Sequence, residues 1–216
     1  MNADPLTLQK QLDGAMEFGL DRGLFGLLER SARFHGHICP GLAIGINASR
    51  VALHRWERAT DEELVAVVEN DACCVDAIQE LLGCTFGKGN LIFRDHGKMA
   101  FTFFRRGEDR GIRLSLRRSD EERDPAEEDL ISRMRSGEAT DVEKDRFRKL
   151  WIKRAVDVLG KGEDLFDIES VSGPPPGRAR IHRNLICFRC GEQVSEHRSV
   201  RSGDEILCIP CSGGSK

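Results

Sequence analysis

Residues 64–104 read LVAVVENDACCVDAIQELLGCTFGKGNLIFRDHGKMAFTFF, and strand-like and helical patterns alternate along this stretch. Short runs rich in β-branched and aromatic residues predict three strands, at Leu64–Glu69, Asn90–Phe93 and Met99–Phe104. Between the first two runs, the pattern predicts a helix over about Cys73–Leu82, with Asn70 or Asp71 as its N-cap. The alternation decides the fold class, because each type of element needs the other to cover its apolar face.

The segments around this stretch complete the expected core. Asp95-His96-Gly97 is interpreted as a hairpin turn between the second and third strands, and a fourth strand is expected at Ile112–Leu116. Upstream, apolar side chains recur at helical spacing at Leu24, Leu27, Leu28 and Phe34. A second helical stretch covers about Gly41–Trp56. We therefore expect an α+β fold with a mainly antiparallel sheet.

The second helical stretch carries small residues close to one face, at Gly41, Gly45 and Ala48. Small side chains let another backbone approach closely, so this pattern favours tight helix packing over a ligand contact.

A charged helical segment follows at 119–160. Asp124-Pro125 fits the N-cap and first position of one helix, and Thr140 with Glu143 fits the capping box of another. Ser136-Gly137 should separate the two helices. The second helix should pack on the core or on a second subunit through a stripe of Phe147, Leu150, Trp151 and Val158.

Three consecutive prolines, at 174–176, predict an extended connector. The predicted domains are a core over 1–172, a proline-rich linker over 173–179 and a four-cysteine zinc finger over 180–216.

The tail cysteines form two pairs with zinc-finger spacing. Cys187 and Cys190 are separated by two residues, as are Cys208 and Cys211, and 17 residues (191–207) lie between the pairs. Gly191 permits the turn after the first pair, and Ser202-Gly203-Asp204 is a hairpin tip that returns the chain. Four thiolates leave no open coordination position, so the pattern predicts one structural zinc ion.

The composition of the chain limits the kinds of binding partner that are expected. The 216 residues are 39 % hydrophobic and carry a formal net charge of −3, which favours neither nucleic acid nor an anionic membrane. The tail is locally basic, at Arg178, Arg180, Arg183, Arg189, Arg198 and Arg201. Phe188 is nearly its only stacking group, so a nucleic-acid partner is disfavoured there.

Localisation is expected to be cytoplasmic. No apolar run approaches the roughly 20 residues of a membrane span, and MNADPLTLQK lacks the segments of a secretory signal. Thiols stay reduced in the cytoplasm, so the eight cysteines are better interpreted as ligands or reactive groups than as disulfides.

A second constellation lies near the start of the core. His35, His37 and Cys39 alternate, and alternate side chains of an extended segment face the same side. Such a set suits zinc, nickel or iron. The helix that follows Pro40-Gly41 should favour a thiolate at Cys39 through its N-terminus.

Further chemical groups follow at Cys73-Cys74 and Asp76. Cys84 lies in the glycine-rich segment 83–89, where backbone N–H groups and Lys88 can surround an anion, although the spacing is not that of a Walker A loop. The alternative for each cysteine is a small buried apolar side chain. The expected catalytic pocket comprises His35, His37, Cys39, Cys73, Asp76 and Lys88. The expected cofactor contacts are Cys84, Thr85, Lys88 and Lys98.

Four segments of the chain resemble one family in order, from about residue 30 to 105. The chain resembles the FmdE family of formylmethanofuran dehydrogenase components at 34–41 (FHGHICPG), 69–79 (ENDACCVDAIQ), 83–90 (GCTFGKGN) and 95–98 (DHGK). The cysteine-rich tail resembles the treble-clef-like zinc finger of many members. A treble clef continues into a helix after its second cysteine pair, whereas only Ser212-Gly213-Gly214-Ser215-Lys216 remains here, which favours a plain zinc ribbon.

The resemblance implies an α+β core, commonly dimeric, and an active-site-like pocket around His37, Cys39 and Cys73 that can hold a second transition metal. It also implies a link to methanogenesis. The chain shows no cysteine run of the iron–sulfur type and no pterin site, so the catalytic centre of such a system is expected on another chain.

Three functions are compatible with these patterns. The first is an accessory metal-binding protein of a molybdenum or tungsten formylmethanofuran dehydrogenase-type system, with a pocket for a metal or a small anionic ligand and a homodimeric state. The second is a free-standing enzyme in which Cys39 is the nucleophile, His35 or His37 its base, and Lys88 and Lys98 hold an anionic substrate. The third is a regulator that binds nucleic acid through the zinc finger.

Overall fold

The computed structural model describes residues 5–118 and 124–214. Ser119, the expected start of the charged segment, and the final Ser215 and Lys216 lie outside the described residues. The chain forms two compact units, one that ends at Arg178 and one that begins at Ala179. The functional domain limits given above stay a prediction.

The first unit contains six α-helices in the described residues. They are α1 (Pro5–Glu17), α2 (Arg22–His35), α3 (Pro40–Leu53), α4 (Cys74–Leu82), α5 (Pro125–Ser136) and α6 (Asp141–Lys161). A 3₁₀ turn at Gly162–Leu165 follows α6. The predicted starts of α5 and α6 are confirmed: Asp124 caps α5, and Thr140 and Glu143 form the capping box of α6.

The helices cover a five-stranded sheet. Its strands are β1 (Leu64–Val68), β2 (Leu91–Phe93), β3 (Ala100–Arg105), β4 (Arg110–Leu116) and β5 (Phe166–Ser172). The spatial order is β2-β1-β3-β4-β5. β1 pairs with β2 in parallel, with Val67 opposite Ile92, and every other pair is antiparallel. The α+β fold with a mainly antiparallel sheet is thus confirmed.

The sheet is buried on both faces near β1. Leu64, Ala66 and Val68 face the main core, which α3 and α4 complete from the helical side. Val65 and Val67 face the opposite side, where they contact Phe104. This double burial explains why β1 is a continuous apolar run rather than an alternating one.

The hairpin prediction for Asp95-His96-Gly97 is wrong. β2 and β3 follow each other along the chain, but β1 lies between them in the sheet. The segment therefore crosses from the edge strand, past the end of β1, to a strand on its other side. β1, α4 and β2 form a parallel crossover, a topology that the short polar connection does not indicate.

Three other features differ at least in part from the sequence prediction. Helix α6 packs on the core as expected, with Trp151 and Val158 of the predicted stripe partly buried against it, but its fully buried face consists of Ile152, Ala155 and Leu159. Strand β5 is absent from the sequence prediction, because most of its residues are exposed at the sheet edge. The N-cap position of α4 is Cys73, and Asn70 instead accepts a hydrogen bond from the backbone N–H of Ala72 in the preceding turn.

Tight packing of α3 against α4 is confirmed at Gly45. A Cβ atom on Gly45 would overlap the backbone carbonyl of Cys74, so the two helices are in direct backbone contact there. A Cβ atom on Gly41 would lie 3.2 Å from Cβ of Cys73. These glycines bring the N-termini of both helices, and the cysteines on them, to the same place.

The second unit consists of two small antiparallel hairpins. β6 (Asn184–Ile186) pairs with β7 (Gln193–Ser195), and β8 (Ser199–Ser202) pairs with β9 (Glu205–Cys208). The predicted turn at Ser202-Gly203-Asp204 joins the second pair, and Gly203 has a φ of 63°. No helix follows Cys211 within the described residues, which end at 214. The choice between a plain zinc ribbon and a treble clef stays a prediction.

Candidate metal centres

Four side chains converge where α2, α3 and α4 meet. His35, His37, Cys39 and Cys73 each offer one nitrogen or sulfur atom, and these four atoms lie within 4.8 Å of one another. Imidazole nitrogens and thiolate sulfurs are the donors that zinc, nickel and iron accept. This set, called the core cluster below, could therefore hold a metal ion.

The backbone brings three of these residues together at the ends of helices rather than along one extended strand. His35 is the last residue of α2, and Gly36 ends that helix in the left-handed conformation, with a φ of 98°. The expectation of an extended segment is therefore wrong for His35. Cys39 and Cys73 occupy the N-cap positions of α3 and α4. The sulfur of Cys39 accepts a hydrogen bond from the backbone N–H of Leu42 in the first turn of α3, whereas the side chain of Cys73 makes no capping hydrogen bond.

Asp76 fixes the orientation of His35. One carboxylate oxygen of Asp76 lies 2.7 Å from Nδ1 of His35. Because a carboxylate only accepts hydrogen bonds, Nδ1 is the donor in this pair, and Nε2 is the ring nitrogen available to a metal ion. Nε2 lies 4.0 Å from Sγ of Cys39 and so faces the core cluster. This arrangement matches the carboxylate–histidine pairs that orient metal ligands.

The protonation equilibria of the core cluster depend mainly on burial. Burial raises the pKa of the Cys39 thiol to about 12, although the N–H of Leu42 lowers it in part. The expected thiolate at Cys39 is therefore wrong for the free thiol, because desolvation outweighs the helix N-terminus. Burial, with a smaller contribution from His35, lowers the pKa of His37 and favours the neutral imidazole that binds metals.

A cavity of about 370 Å³ lies against the core cluster. His35, Cys73 and Asp76 form one side of it. The remaining lining residues come from the end of β1, the turn after it, the first turn of α4, the glycine-rich segment and β2; they are Val68, Asn70, Asp71, Ala72, Val75, Phe86, Leu91 and Phe93. A cavity of this size is within the range of small-molecule sites.

The four residues expected to bind a cofactor belong neither to the core cluster nor to the lining of this cavity. Cys84 is fully buried, and its thiol donates to the carbonyl of Leu64. Thr85 donates its backbone N–H to Asn90 and accepts from the N–H of Lys88 within the glycine-rich segment. Lys88 and Lys98 do not line the cavity. Their role in binding an anion stays a prediction.

Sequence reasoning misses several cavity residues. Its patterns assign Asn70 only a capping role and place Phe86 and Phe93 in a loop and a strand. The available signal is positional: Asn70 directly follows β1, and the ends of neighbouring parallel strands lie at the same sheet edge, where ligands bind in α/β folds.

The tail cysteines form a second cluster. The sulfur atoms of Cys187, Cys190, Cys208 and Cys211 lie within 4.8 Å of one another. The backbone N–H of Cys208 lies 3.3 Å from Sγ of Cys187. Hydrogen bonds from the N–H groups of Cys190 and Cys208 lower the pKa of Cys187 to about 6. The cluster could hold a metal ion, and its four cysteines are consistent with zinc.

The family model that matches this chain covers residues 34–167 and is described as "FmdE, Molybdenum formylmethanofuran dehydrogenase operon". The chain belongs to the FmdE family. The matched residues include all four members of the core cluster and end before the tail cysteines, so the core cluster lies in the part of the chain that the family defines.

Two similar proteins align with more of this chain than the FmdE family model covers. One is a "Probable S-adenosyl-L-methionine-binding protein" from Archaeoglobus fulgidus, 33 % identical over 198 residues. The alignment covers 87 % of this chain but 52 % of that relative, so the chain spans about half its length. The binding that its name describes is stated for that longer protein.

The other is a solved structure, a tungsten formylmethanofuran dehydrogenase FmdE-like protein from Syntrophus aciditrophicus. It is 25 % identical, with a TM-score of 0.58, and the match covers 87 % of this chain and 91 % of that chain. Within the described residues of this FmdE chain, no helix is long and apolar enough to cross a bilayer.

Proposed function

We propose that this FmdE protein is a metal-binding accessory component of a molybdenum or tungsten formylmethanofuran dehydrogenase-type system. The core cluster binds one transition metal, and the tail cluster binds a structural zinc ion. The observation that carries the proposal is the convergence of His35, His37, Cys39 and Cys73 beside a cavity. His35 and Cys73 belong to both features, so a molecule in the cavity would contact two of the metal's ligands.

The donor set supports a transition metal. Two imidazoles and two thiolates suit zinc, nickel or iron, whereas magnesium and calcium prefer oxygen ligands. With all four side chains bound in tetrahedral geometry, the metal would have no open position, so a Lewis-acid role at the cavity wall would require a fifth coordination position. The protein supplies the orientation of His35 through Asp76 and the placement of both sulfurs at helix N-termini.

The accessory role is supported by the family and by its solved relative. Both carry the name of formylmethanofuran dehydrogenase, and this chain lacks the cysteine run of an iron–sulfur protein. The tail unit exposes Phe188 and Ile186, which suits contact with another protein chain. Docking to a partner would then be separate from the chemistry of the core cluster.

Elemental analysis of the untreated protein tests the metal proposal. We expect two metal ions per chain, and one in the Cys73→Ser variant. Cys74→Ser is the matched control, because Cys74 is the next residue, is fully buried and contacts Asn70 rather than the core cluster. One metal per chain in the wild type, lost only on Cys187→Ser, would refute a metal in the core.

The accessory role needs its own test. Purified chain is mixed with the catalytic subunits of a tungsten or molybdenum formylmethanofuran dehydrogenase, and association is measured by analytical ultracentrifugation. A complex that Cys187→Ser weakens is the expected result. Absence of any complex with metal-loaded protein would contradict the accessory role and leave the metal proposal standing.

The two other functions receive less support. A nucleophilic Cys39 requires a thiolate in the metal-free protein, where burial raises the pKa of its thiol to about 12. A small anionic ligand lacks a basic partner in the cavity, because its described lining contains neither lysine nor arginine. Nucleic-acid binding would need aromatic side chains on which bases can stack. Within the described residues of the tail, these are Phe188 and the stacked pair His182 and His197.

A further inference from the structure

The charges around the cavity are unbalanced. Two carboxylates, from Asp71 and Asp76, line it, and no lysine or arginine of the described residues does. Asp76 is already engaged with Nδ1 of His35, whereas Asp71 is exposed. The charged side chains of the lining are therefore both acidic, and no lysine or arginine of the lining offsets their repulsion of an anion. A divalent ion in the core cluster would be neutralised by the thiolates of Cys39 and Cys73.

The remaining polar group of the lining is committed to the protein. Asn70 accepts hydrogen bonds from the N–H of Ala72 and the thiol of Cys74, and its amide nitrogen donates to the carbonyl of Lys98. These contacts use its carbonyl oxygen twice and one of the two N–H groups of its amide. Of the other polar lining groups, His35 and Cys73 belong to the core cluster and Asp76 is paired with His35. The acceptor left for a ligand is therefore the exposed carboxylate of Asp71, which requires a donor on the ligand.

The other walls are apolar and partly aromatic. Phe86 is 79 % exposed and Phe93 is 44 % exposed, an unusual state for side chains of this size. Val68, Val75 and Leu91 form the inner wall. An aromatic or aliphatic body would cover these surfaces, and a phenyl face also attracts a cation.

We infer that the cavity binds a small organic ligand that carries an amine, or another cationic hydrogen-bond donor, on an apolar body, and that it discriminates against anions. This ligand class follows from the acidic and apolar side chains that line the cavity. The inference rests on the proposed function only in placing the donor end of the ligand next to the metal ligands His35 and Cys73.

Three probes of the same shape test this inference. Benzylamine, benzyl alcohol and benzoate share one ring and differ in charge. Binding to the full chain, at known metal content, is measured by titration calorimetry and by NMR shifts near neutral pH and low salt. We expect benzylamine to bind at least about tenfold more tightly than benzoate, with benzyl alcohol between them.

Two variants locate the effect. Asp71→Asn should reduce the preference for benzylamine over benzoate severalfold, whereas Asp109→Asn, an exposed position in the turn between β3 and β4, should leave it unchanged. Phe86→Ala should weaken all three probes alike. Asp71 and Phe86 are both exposed, so neither substitution is expected to unfold the protein.

The outcomes separate this inference from the proposed function. Benzoate binding as tightly as benzylamine, or no binding of any probe, overturns the inference whatever the metal content. A preference for benzylamine that Asp71→Asn reduces supports it. If the untreated protein shows that preference and elemental analysis finds no core metal in it, the metal proposal fails while the ligand class stands.

Discussion

Asp76 is the residue on which the geometry of the core cluster depends most. It lies in the first turn of α4, and its carboxylate holds Nδ1 of His35 at 2.7 Å. We predict that Asp76→Asn lowers the affinity of the core cluster for a transition metal by about 10- to 100-fold, because the imidazole loses both orientation and basicity. A competitive chelator titration measures the change.

Glu80→Gln is the control for this substitution. Glu80 lies on the same helix, and its carboxylate pairs with Arg30 on the surface. Equal metal affinity in the Asp76→Asn and Glu80→Gln variants would mean that Asp76 has no positioning role.

Glu69 provides a test of pH dependence at the residue scale. Burial alone would raise its pKa, but hydrogen bonds from His96 and Arg113 outweigh burial and lower the pKa below its ordinary value. A lowered pKa in the folded state adds stability above the unfolded value of about 4.3, and this stability disappears as pH falls through the folded pKa.

We therefore predict that Glu69→Gln lowers the free energy of unfolding at pH 7 and that the difference from wild type shrinks below about pH 4. Urea denaturation at both pH values measures it. A difference that is the same at pH 7 and at about pH 3 would contradict the electrostatic origin of the effect.

The residue types of the core cluster can be predicted from the sequence, but their arrangement cannot. The histidines and cysteines are recognisable through spacing and resemblance. That His35 ends a helix, and that Cys39 and Cys73 cap two others, depends on the packing of three helices. Desolvation of Cys39 depends on the same packing, so no local pattern indicates its raised pKa.

At the scale of elements, the crossing of α3 and α4 positions both cysteines. We predict that Gly45→Ala destabilises the protein by several kcal/mol, because the added methyl group overlaps the backbone of Cys74 and forces the helices apart. Thermal unfolding, followed by circular dichroism, measures the loss, and metal binding to the core cluster should weaken as well.

Gly26→Ala is the matched control, since Gly26 lies inside helix α2 and a Cβ atom there meets no atom within 4 Å. That variant should gain up to about 1 kcal/mol from helix propensity. If the two variants had the same stability, the close approach of α3 and α4 would not be essential.

The existence of most elements can be predicted, whereas strand pairing cannot. Capping residues define the starts of α5 and α6 locally, so the sequence suffices there. β2 pairs with β1, which is buried on both faces, and that burial is a property of the whole sheet. For the same reason, the exposed edge strand β5 lacks the apolar pattern of a strand.

At the scale of the whole molecule, the two compact units should respond differently to metal removal. A tail unit with so small a core depends on its metal for most of its folding free energy. We predict that Cys187→Ser abolishes amide protection in β8 and β9 while β1 keeps its protection. Hydrogen exchange followed by mass spectrometry measures both regions in one sample.

Loss of protection in β1 to the same extent would contradict independent folding of the first unit. Retained protection in the tail hairpins of this variant would contradict a structural metal. Either result would change the assignment of roles between the core cluster and the tail cluster.

The most direct test of the account is the position of the metals in crystals of the untreated protein. Anomalous diffraction above the absorption edges of the metals found by elemental analysis places each ion. We predict two peaks per chain, one bonded to Cys39 and Cys73 and one surrounded by the four tail cysteines. A single peak, at the tail cysteines, would contradict the metal site in the core.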